Sequence, residues 1–207
     1  SLTRLLALNR TVAGVLLAVL FFGLGEQLWD PFLSVYLDAR AKGLQRAALD
    51  AGGVGGLTLW TVGLYAFLRN LFEGFCYIGG GRLTARLGDR GALLLFGAVT
   101  VSGYVVFLSW QAPAAAVAAA VLIVGWEPLS VPVTFTAVGS TVGLAGRGMA
   151  FALQSIQKRL PKVLGPLLAG FMLAWAERNW GSKELGRVAG MRILVGFALA
   201  LGLVSLA

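Results

Sequence analysis

Charged side chains occur inside stretches of this sequence that are otherwise apolar. Three of them, Lys158, Arg159 and Lys162, fall within a single such stretch. Each Lys or Arg at the centre of a lipid bilayer costs roughly 2.5–3.5 kcal/mol on insertion scales, so an interior charge needs a compensating partner. Acids and bases occur there in equal number: Glu26, Asp30, Glu73 and Glu127 on one hand, and Arg69, Lys158, Arg159 and Lys162 on the other.

The spacing of these residues predicts which of them share a helix face. Side chains four residues apart on a helix are neighbours. That interval separates Glu26 from Asp30, Arg69 from Glu73, Gln154 from Lys158, and Lys158 from Lys162. A dry network of ion pairs that only holds the helices together is one interpretation. We favour a polar cavity, because eight charged groups at similar depth are hard to bury without water.

The candidate binding residues follow from these charges. Ionisable groups inside a membrane mark the path of a solute, an ion or a proton by default. We expect the acids Glu26, Asp30 and Glu127 to carry a proton or a cation, and the bases to bind an anionic group or balance those acids. The full candidate set for binding substrate or proton is Glu26, Asp30, Arg69, Glu73, Glu127, Gln154, Lys158 and Lys162.

The composition predicts that membrane helices position these residues. Hydrophobic residues make up 58% of the chain and charged residues 13%, whereas about 25% of a soluble domain is charged. Apolar runs of roughly 20 residues recur, which is the pattern of transmembrane helices rather than of barrel strands. The 29 glycines agree, because small residues let membrane helices approach closely. We therefore expect an all-α integral membrane protein.

Turn signals divide the chain into predicted spans. The triple glycine at 79–81 is expected to end the second helix, and the charged stretch after it to form a short turn. Gln-Ala-Pro at 111–113 divides a charge-free stretch that is too long for one crossing. The prediction is one six-transmembrane-helix bundle with spans at about 11–37, 57–80, 92–110, 114–138, 148–175 and 190–207. Spans three and six hold no interior charge, so spans one, two, four and five should form the polar interior.

Several classes of function fit the sequence poorly. The chain has no histidine and a single cysteine, Cys76, which excludes Ser-His-Asp and Cys-His triads and argues against a zinc or haem site. We therefore expect no enzyme, no cofactor and no metal. The net charge of +8 is spread over helix ends, loops and the membrane interior, without the basic stripe that would indicate nucleic acid as a partner.

Three segments resemble the N-terminal six-helix half of a major facilitator superfamily transporter. They are GGRLTARLGDRGALLLF at 80–96, GRGMAF at 146–151 and VLGPLLAG at 163–170, and they are most similar to bacterial members of the family. The resemblance implies a multi-pass protein of the bacterial cytoplasmic (inner) membrane. It implies helices one and four around a central cavity, helices two and five against a second half, and alternating access by rocking of the halves.

The same resemblance implies a cytoplasmic gating loop after the second helix. The loop residues are Gly81, Arg86, Gly88, Asp89 and Arg90. Two positions depart from the family pattern, because Ala85 stands where the family has Asp and Asp89 where it has Arg. In the family this Asp helps the two halves to hold together on the cytoplasmic side, so the resemblance does not extend to normal gating of this chain.

The leading interpretation is a secondary active transporter, or the N-terminal half of one, that moves a small polar or charged solute by alternating access, with proton coupling as an option. Its partners would be the lipid bilayer, a small-molecule solute, and a second six-helix half or partner membrane subunits, with Arg159 facing the second half. The alternative is a transporter-fold accessory subunit that scaffolds or assembles a larger membrane complex. The departures in the gating loop favour that alternative.

Overall fold

The computed structural model describes residues 10–39, 58–110, 112–141, 147–180 and 182–206. Every regular element in these ranges is helical, and no strand occurs in them, which confirms the predicted all-α class. Within the same ranges, four helices are long and apolar enough to cross a membrane. They are Ala13–Ala39, Ala66–Ser109, Ala114–Thr136 and Lys183–Leu206. These helices support the prediction of a membrane protein.

The first helix, α1, spans Arg10–Trp29 and ends beside a proline. Pro31 has no N–H to donate, and its ring clashes with the carbonyl four residues earlier, so α-helical hydrogen bonding gives way to a 3-10 turn at Asp30–Phe32. Residues 33–39 then return to α-helix. The turn places Asp30 within the apolar length Ala13–Ala39.

The second helix, α2, spans Thr58–Ser109 and is divided at Gly88. Gly88 has φ 71° and ψ 166°, a conformation open essentially only to glycine. It separates a first arm (58–87) from a second arm (89–109). A straight helix of 52 residues would measure about 78 Å, more than twice the roughly 30 Å hydrocarbon core of a bilayer.

The remaining helices are α3 (Pro113–Val124), α4 (Trp126–Thr141), α5 (Arg147–Asn179) and α6 (Lys183–Leu206). Pro113 starts α3, a position where its missing N–H has no helical partner to lose. Only Gly125 separates α3 from α4, so the two together supply the apolar length Ala114–Thr136. The predicted fifth span lies on α5. This helix carries several charged residues and is not among the four that are apolar enough to cross a membrane. Six spans therefore stay a prediction.

The prediction that a helix ends at the triple glycine 79–81 is wrong, because α2 continues through these residues to Gly88. A helical glycine costs only about 1 kcal/mol relative to alanine, and packing outweighs that cost here. A Cβ on Gly80 would lie 3.3 Å from the Cα of Leu129 on α4. Thr84 also donates a hydrogen bond to the Gly80 carbonyl at 2.7 Å. The glycine thus permits a close helix contact.

The helix packing holds the polar residues of α1 against α4 and α5. α1 contacts α4, α5 and α6, while α2 packs on α3, α4 and α6. One apolar core, around Trp29, Leu33 and Tyr104, joins the α1 region to α2, α3 and α6. A second core includes Phe22 of α1 and Trp126 of α4, whose ring centroids lie 4.0 Å apart.

α5 and α6 pack against each other as a helical hairpin. A Cβ on Gly186 would lie 2.6 Å from the Cα of Glu177, so the two helices approach each other at a distance that requires glycine. Arg187 Nε donates to Glu177 Oε1 at 2.6 Å across the same contact. This ion pair joins the end of α5 to the first turns of α6.

Candidate functional site

Arg69 connects two carboxylates from different parts of the chain, and we name Asp30, Arg69 and Glu73 the Arg69 cluster. Arg69 Nη1 lies 2.7 Å from both carboxylate oxygens of Asp30. Arg69 Nε donates to Glu73 Oε1 at 3.0 Å, one turn along the first arm of α2, as the four-residue spacing predicts. Asp30 is the more enclosed acid, with 9% of its side chain exposed against 29% for Glu73.

Lys162 and Glu127 form an ion pair between α5 and α4. Lys162 Nζ donates to Glu127 Oε1 at 3.1 Å and to Oε2 at 3.3 Å. Glu127 lies in the first turn of α4, where the helix dipole favours a carboxylate. Both side chains are partly exposed, so the pair lies at the edge of the helix packing.

A small cavity adjoins this pair, between α1, α4 and α5. Four charged residues line it, and we name them the cavity cluster: Glu26, Glu127, Lys158 and Lys162. The cavity has a volume of about 20 Å³, which is room for about one water molecule. The structure thus brings four of the predicted site residues, from three helices, around one cavity.

Two members of the cavity cluster have no direct partner among the described residues. The Glu26 residue is only 3% exposed, and it makes no hydrogen bond or ion pair with any residue that the structure describes. Lys158 is partly buried and forms no ion pair within the described part of the chain. Burying a charge without a partner is strongly unfavourable. These two positions are therefore suited to a ligand that supplies a direct partner for each side chain.

Gln154 lies on the α4 side of α5 but outside the cavity lining. Its Nε2 donates to the hydroxyl of Thr134 at 2.6 Å in a buried contact, and Thr134 donates to the Val131 carbonyl at 2.9 Å. Lys162 contacts Glu127 on the same helix, and Lys158 faces the cavity. The predicted face of Gln154, Lys158 and Lys162 is thus directed at α4.

Close packing of α1 on α5 sets the size of the cavity. A Cβ on Gly165 would lie 2.6 Å from Gln27 Cβ and 2.8 Å from the Gln27 carbonyl carbon. A Cβ on Gly23 would lie 3.5 Å from Pro161 Cγ. Gly23, Gln27 and Pro161 also line the cavity, so the space opens only if the two helices move apart.

Gly88 of the predicted gating loop provides the break in α2, and Asp89 and Arg90 follow it, whereas Gly81 and Arg86 lie within the helical first arm. Asp89, one of the two departures from the family pattern, accepts a hydrogen bond from Thr136 of α4 at 2.8 Å. Gly81, Arg86 and Arg90 are exposed. The structure therefore brings only Asp89 of this loop set into a described contact with α4.

Some polar residues of the site were not predicted. Ser130 and Gln27 line the cavity, and the Gln157 side chain donates to the carbonyl of Leu16 on α1. Ser130 follows Glu127 by three residues, so helix periodicity could have identified it. The partner of Gln157 is a backbone carbonyl on another helix, for which the sequence gives no signal.

Among the described residues, no group of three His, Cys, Asp or Glu side chains is placed to hold a metal ion. No protein-family model matches the chain, and neither does any curated protein or solved structure. Function is therefore inferred from the sequence and from the geometry of the two charge clusters.

Proposed function

We propose that this chain is a secondary transporter of the bacterial cytoplasmic membrane, or one half of such a transporter, and that it moves a small polar or charged solute by alternating access. The observation that carries the proposal is the pair Glu26 and Lys158, which face one cavity without partners among the described residues. Charges kept inside apolar helices at such a cost are expected where a solute or ion passes.

Six membrane spans belong to this proposal. The two arms of α2 supply the second and third spans, with the turn at Gly88 between them. α3 and α4 together supply the fourth, and α5 supplies the fifth. α5 tolerates these charges in this arrangement because Lys158 lines the cavity and Lys162 pairs with Glu127. The resemblance to half of a major facilitator superfamily transporter supports the same count.

A second membrane unit on the outer face of α5 also belongs to the proposal. Arg159 is exposed there, among the exposed side chains of Ile156, Leu160 and Val163. A guanidinium surrounded by apolar side chains is unfavourable against lipid and favourable against a polar protein surface. The second six-helix half that the resemblance implies would cover this face.

A scaffolding subunit of a larger membrane complex is the second candidate. The small size of the cavity favours it, because about 20 Å³ holds no solute larger than water. The Asp89–Thr136 contact favours it as well, since it engages the altered loop within this chain. In this case the outer face of α5 would bind other subunits.

Solute flux into proteoliposomes separates the two candidates. We expect saturable flux for at least one class in a panel of anionic, cationic, zwitterionic and neutral solutes. Glu127→Gln should reduce that flux by roughly 10-fold or more, the equivalent of about 1.4 kcal/mol. Glu177→Gln is the matched control, because it makes the same change at the α5–α6 hairpin. Absence of flux for every class, together with co-purification of other subunits in fixed ratio, would support the scaffold.

A further inference from the structure

Within the cavity cluster, one acid and one base form an ion pair, and the other acid and the other base have no ion-pair partner among the described residues. Lys162 and Glu127 compensate each other at 3.1 Å. Glu26 from α1 and Lys158 from α5 face the same cavity, and neither has an ion-pair partner in the part of the chain that the structure describes. The site therefore presents one acidic and one basic side chain to whatever enters it.

The ligand class follows from the charge that each kind of solute would leave uncompensated. A simple anion bound at Lys158 would leave the buried Glu26 carboxyl without a direct partner, and a simple cation bound at Glu26 would do the same to the Lys158 amino group. A neutral solute would compensate neither. A molecule that carries both charges satisfies both residues with charge-assisted hydrogen bonds, which are about twice as strong as neutral ones.

We propose, on the basis of the transport function above, that the cavity takes a small zwitterion with one ammonium and one carboxylate group. Glu26 binds the ammonium group and Lys158 binds the carboxylate. The Ser130 hydroxyl donates to the Glu127 carbonyl at 3.0 Å, so its lone pairs stay free to accept a further hydrogen bond from the ammonium group.

The zwitterion enters when α1 separates from α4 and α5. The present volume of about 20 Å³ excludes it, and the tight contact of Gly165 with Gln27 keeps the helices together. A direct Glu26–Lys158 ion pair is the competing arrangement, because both side chains line the same space. Such a pair would remove the preference for a doubly charged ligand, which makes the two arrangements distinguishable.

Ligand-induced thermal stabilisation of the purified protein in detergent tests the ligand class. Alanine, propylamine, propionate and propionamide form a panel of three-carbon molecules that carry both charges, the positive charge, the negative charge or neither. We expect alanine to bind about 10- to 100-fold more tightly than propylamine or propionate, because alanine makes one more charge-assisted hydrogen bond than either of them. This comparison uses the wild-type protein and does not depend on the folding of any variant.

Two variants assign the two ends of the ligand. Glu26→Gln should lower the affinity for alanine to that for propionate, while leaving the affinity for propionate unchanged. Lys158→Gln should lower it to that for propylamine. Glu177→Gln should leave the whole panel unchanged, because its ion pair with Arg187 lies outside the cavity.

Equal affinity of the wild-type protein for alanine and for either singly charged analogue would contradict the inference. So would a uniform loss across the panel in both variants. Saturable flux restricted to singly charged or neutral solutes would overturn the zwitterion assignment and leave the transport function standing. Absence of binding for every member of the panel would overturn the zwitterion assignment, and absence of flux for every solute class would overturn the transport function as well.

Discussion

Arg69 bridges two carboxylates that reach it from different parts of the chain, Asp30 after α1 and Glu73 one turn along α2. Removing the cation leaves both acids without the group between them, so we expect Arg69→Leu to lower the free energy of unfolding by about 3 kcal/mol. Asp30→Asn should cost more than Glu73→Gln, because Asp30 is the less exposed acid. Thermal unfolding in detergent gives the order.

The double variant Arg69→Leu with Asp30→Leu controls for simple loss of packing. We expect it to regain part of the stability lost in Arg69→Leu, because the acid is removed together with its cation. Strictly additive losses would show that the two residues are not coupled.

Four-residue spacing predicted the contact of Arg69 with Glu73, because neighbours within a helix are fixed by local periodicity. The same reasoning could not identify Asp30 as the other partner of Arg69, 39 residues away. Nor could it pair Glu127 with Lys162 at a separation of 35 residues. Those contacts depend on which helices pack together, and equal numbers of acids and bases predict only that partners exist.

The contact of α1 with α5 depends on a missing side chain at Gly165. Because a Cβ there would lie 2.8 Å from the backbone of Gln27, Gly165→Ala should force the two helices apart and lower the free energy of unfolding by about 1–3 kcal/mol. Gly170→Ala on the same helix is the control, since its Cβ would meet only Phe32 at 3.7 Å. Equal thermal stability of the two variants would contradict the close approach.

Glycine shows why helix boundaries were harder to predict than helix existence. The triple glycine at 79–81 suggested the end of a helix, whereas the helix is interrupted at the single Gly88. A glycine tolerates both a helix and a positive φ, and the choice is made by contacts such as that of Gly80 with Leu129, which the sequence does not contain. The apolar length Ala13–Ala39 was predictable because hydrophobicity is a property of the residues themselves.

The proposed six-span arrangement predicts a single orientation in the membrane. The turn at Gly88 should be cytoplasmic and the α5–α6 connection outside. In a Cys76→Ala background, an impermeant thiol reagent should label Ser182→Cys in intact cells. Ala85→Cys, exposed beside the Gly88 turn, should be labelled only after lysis. The reverse pattern would show the opposite orientation.

At the scale of the whole molecule, the composition predicts a membrane protein, but it does not predict the cavity between the helices. A hydrophobic fraction of 58% indicates that the helices lie in a lipid bilayer. α1, α4 and α5 meet around Glu26 because aromatic side chains such as Phe22 and Trp126 pack on each other. These two residues lie 104 positions apart in the sequence. Alternating access then requires that this cavity open toward each side of the membrane in turn.

Labelling of a cysteine inside the cavity tests that requirement most directly. Ser130 lines the cavity and is 1% exposed, so Ser130→Cys in the Cys76→Ala background reacts only when the helices separate. An impermeant thiol reagent is applied to right-side-out and to inside-out vesicles, with Ser182→Cys as the control for sidedness. We predict labelling of Ser130→Cys from both sides. Labelling from one side only, or from neither, while the control reacts as expected, would contradict transport by alternating access.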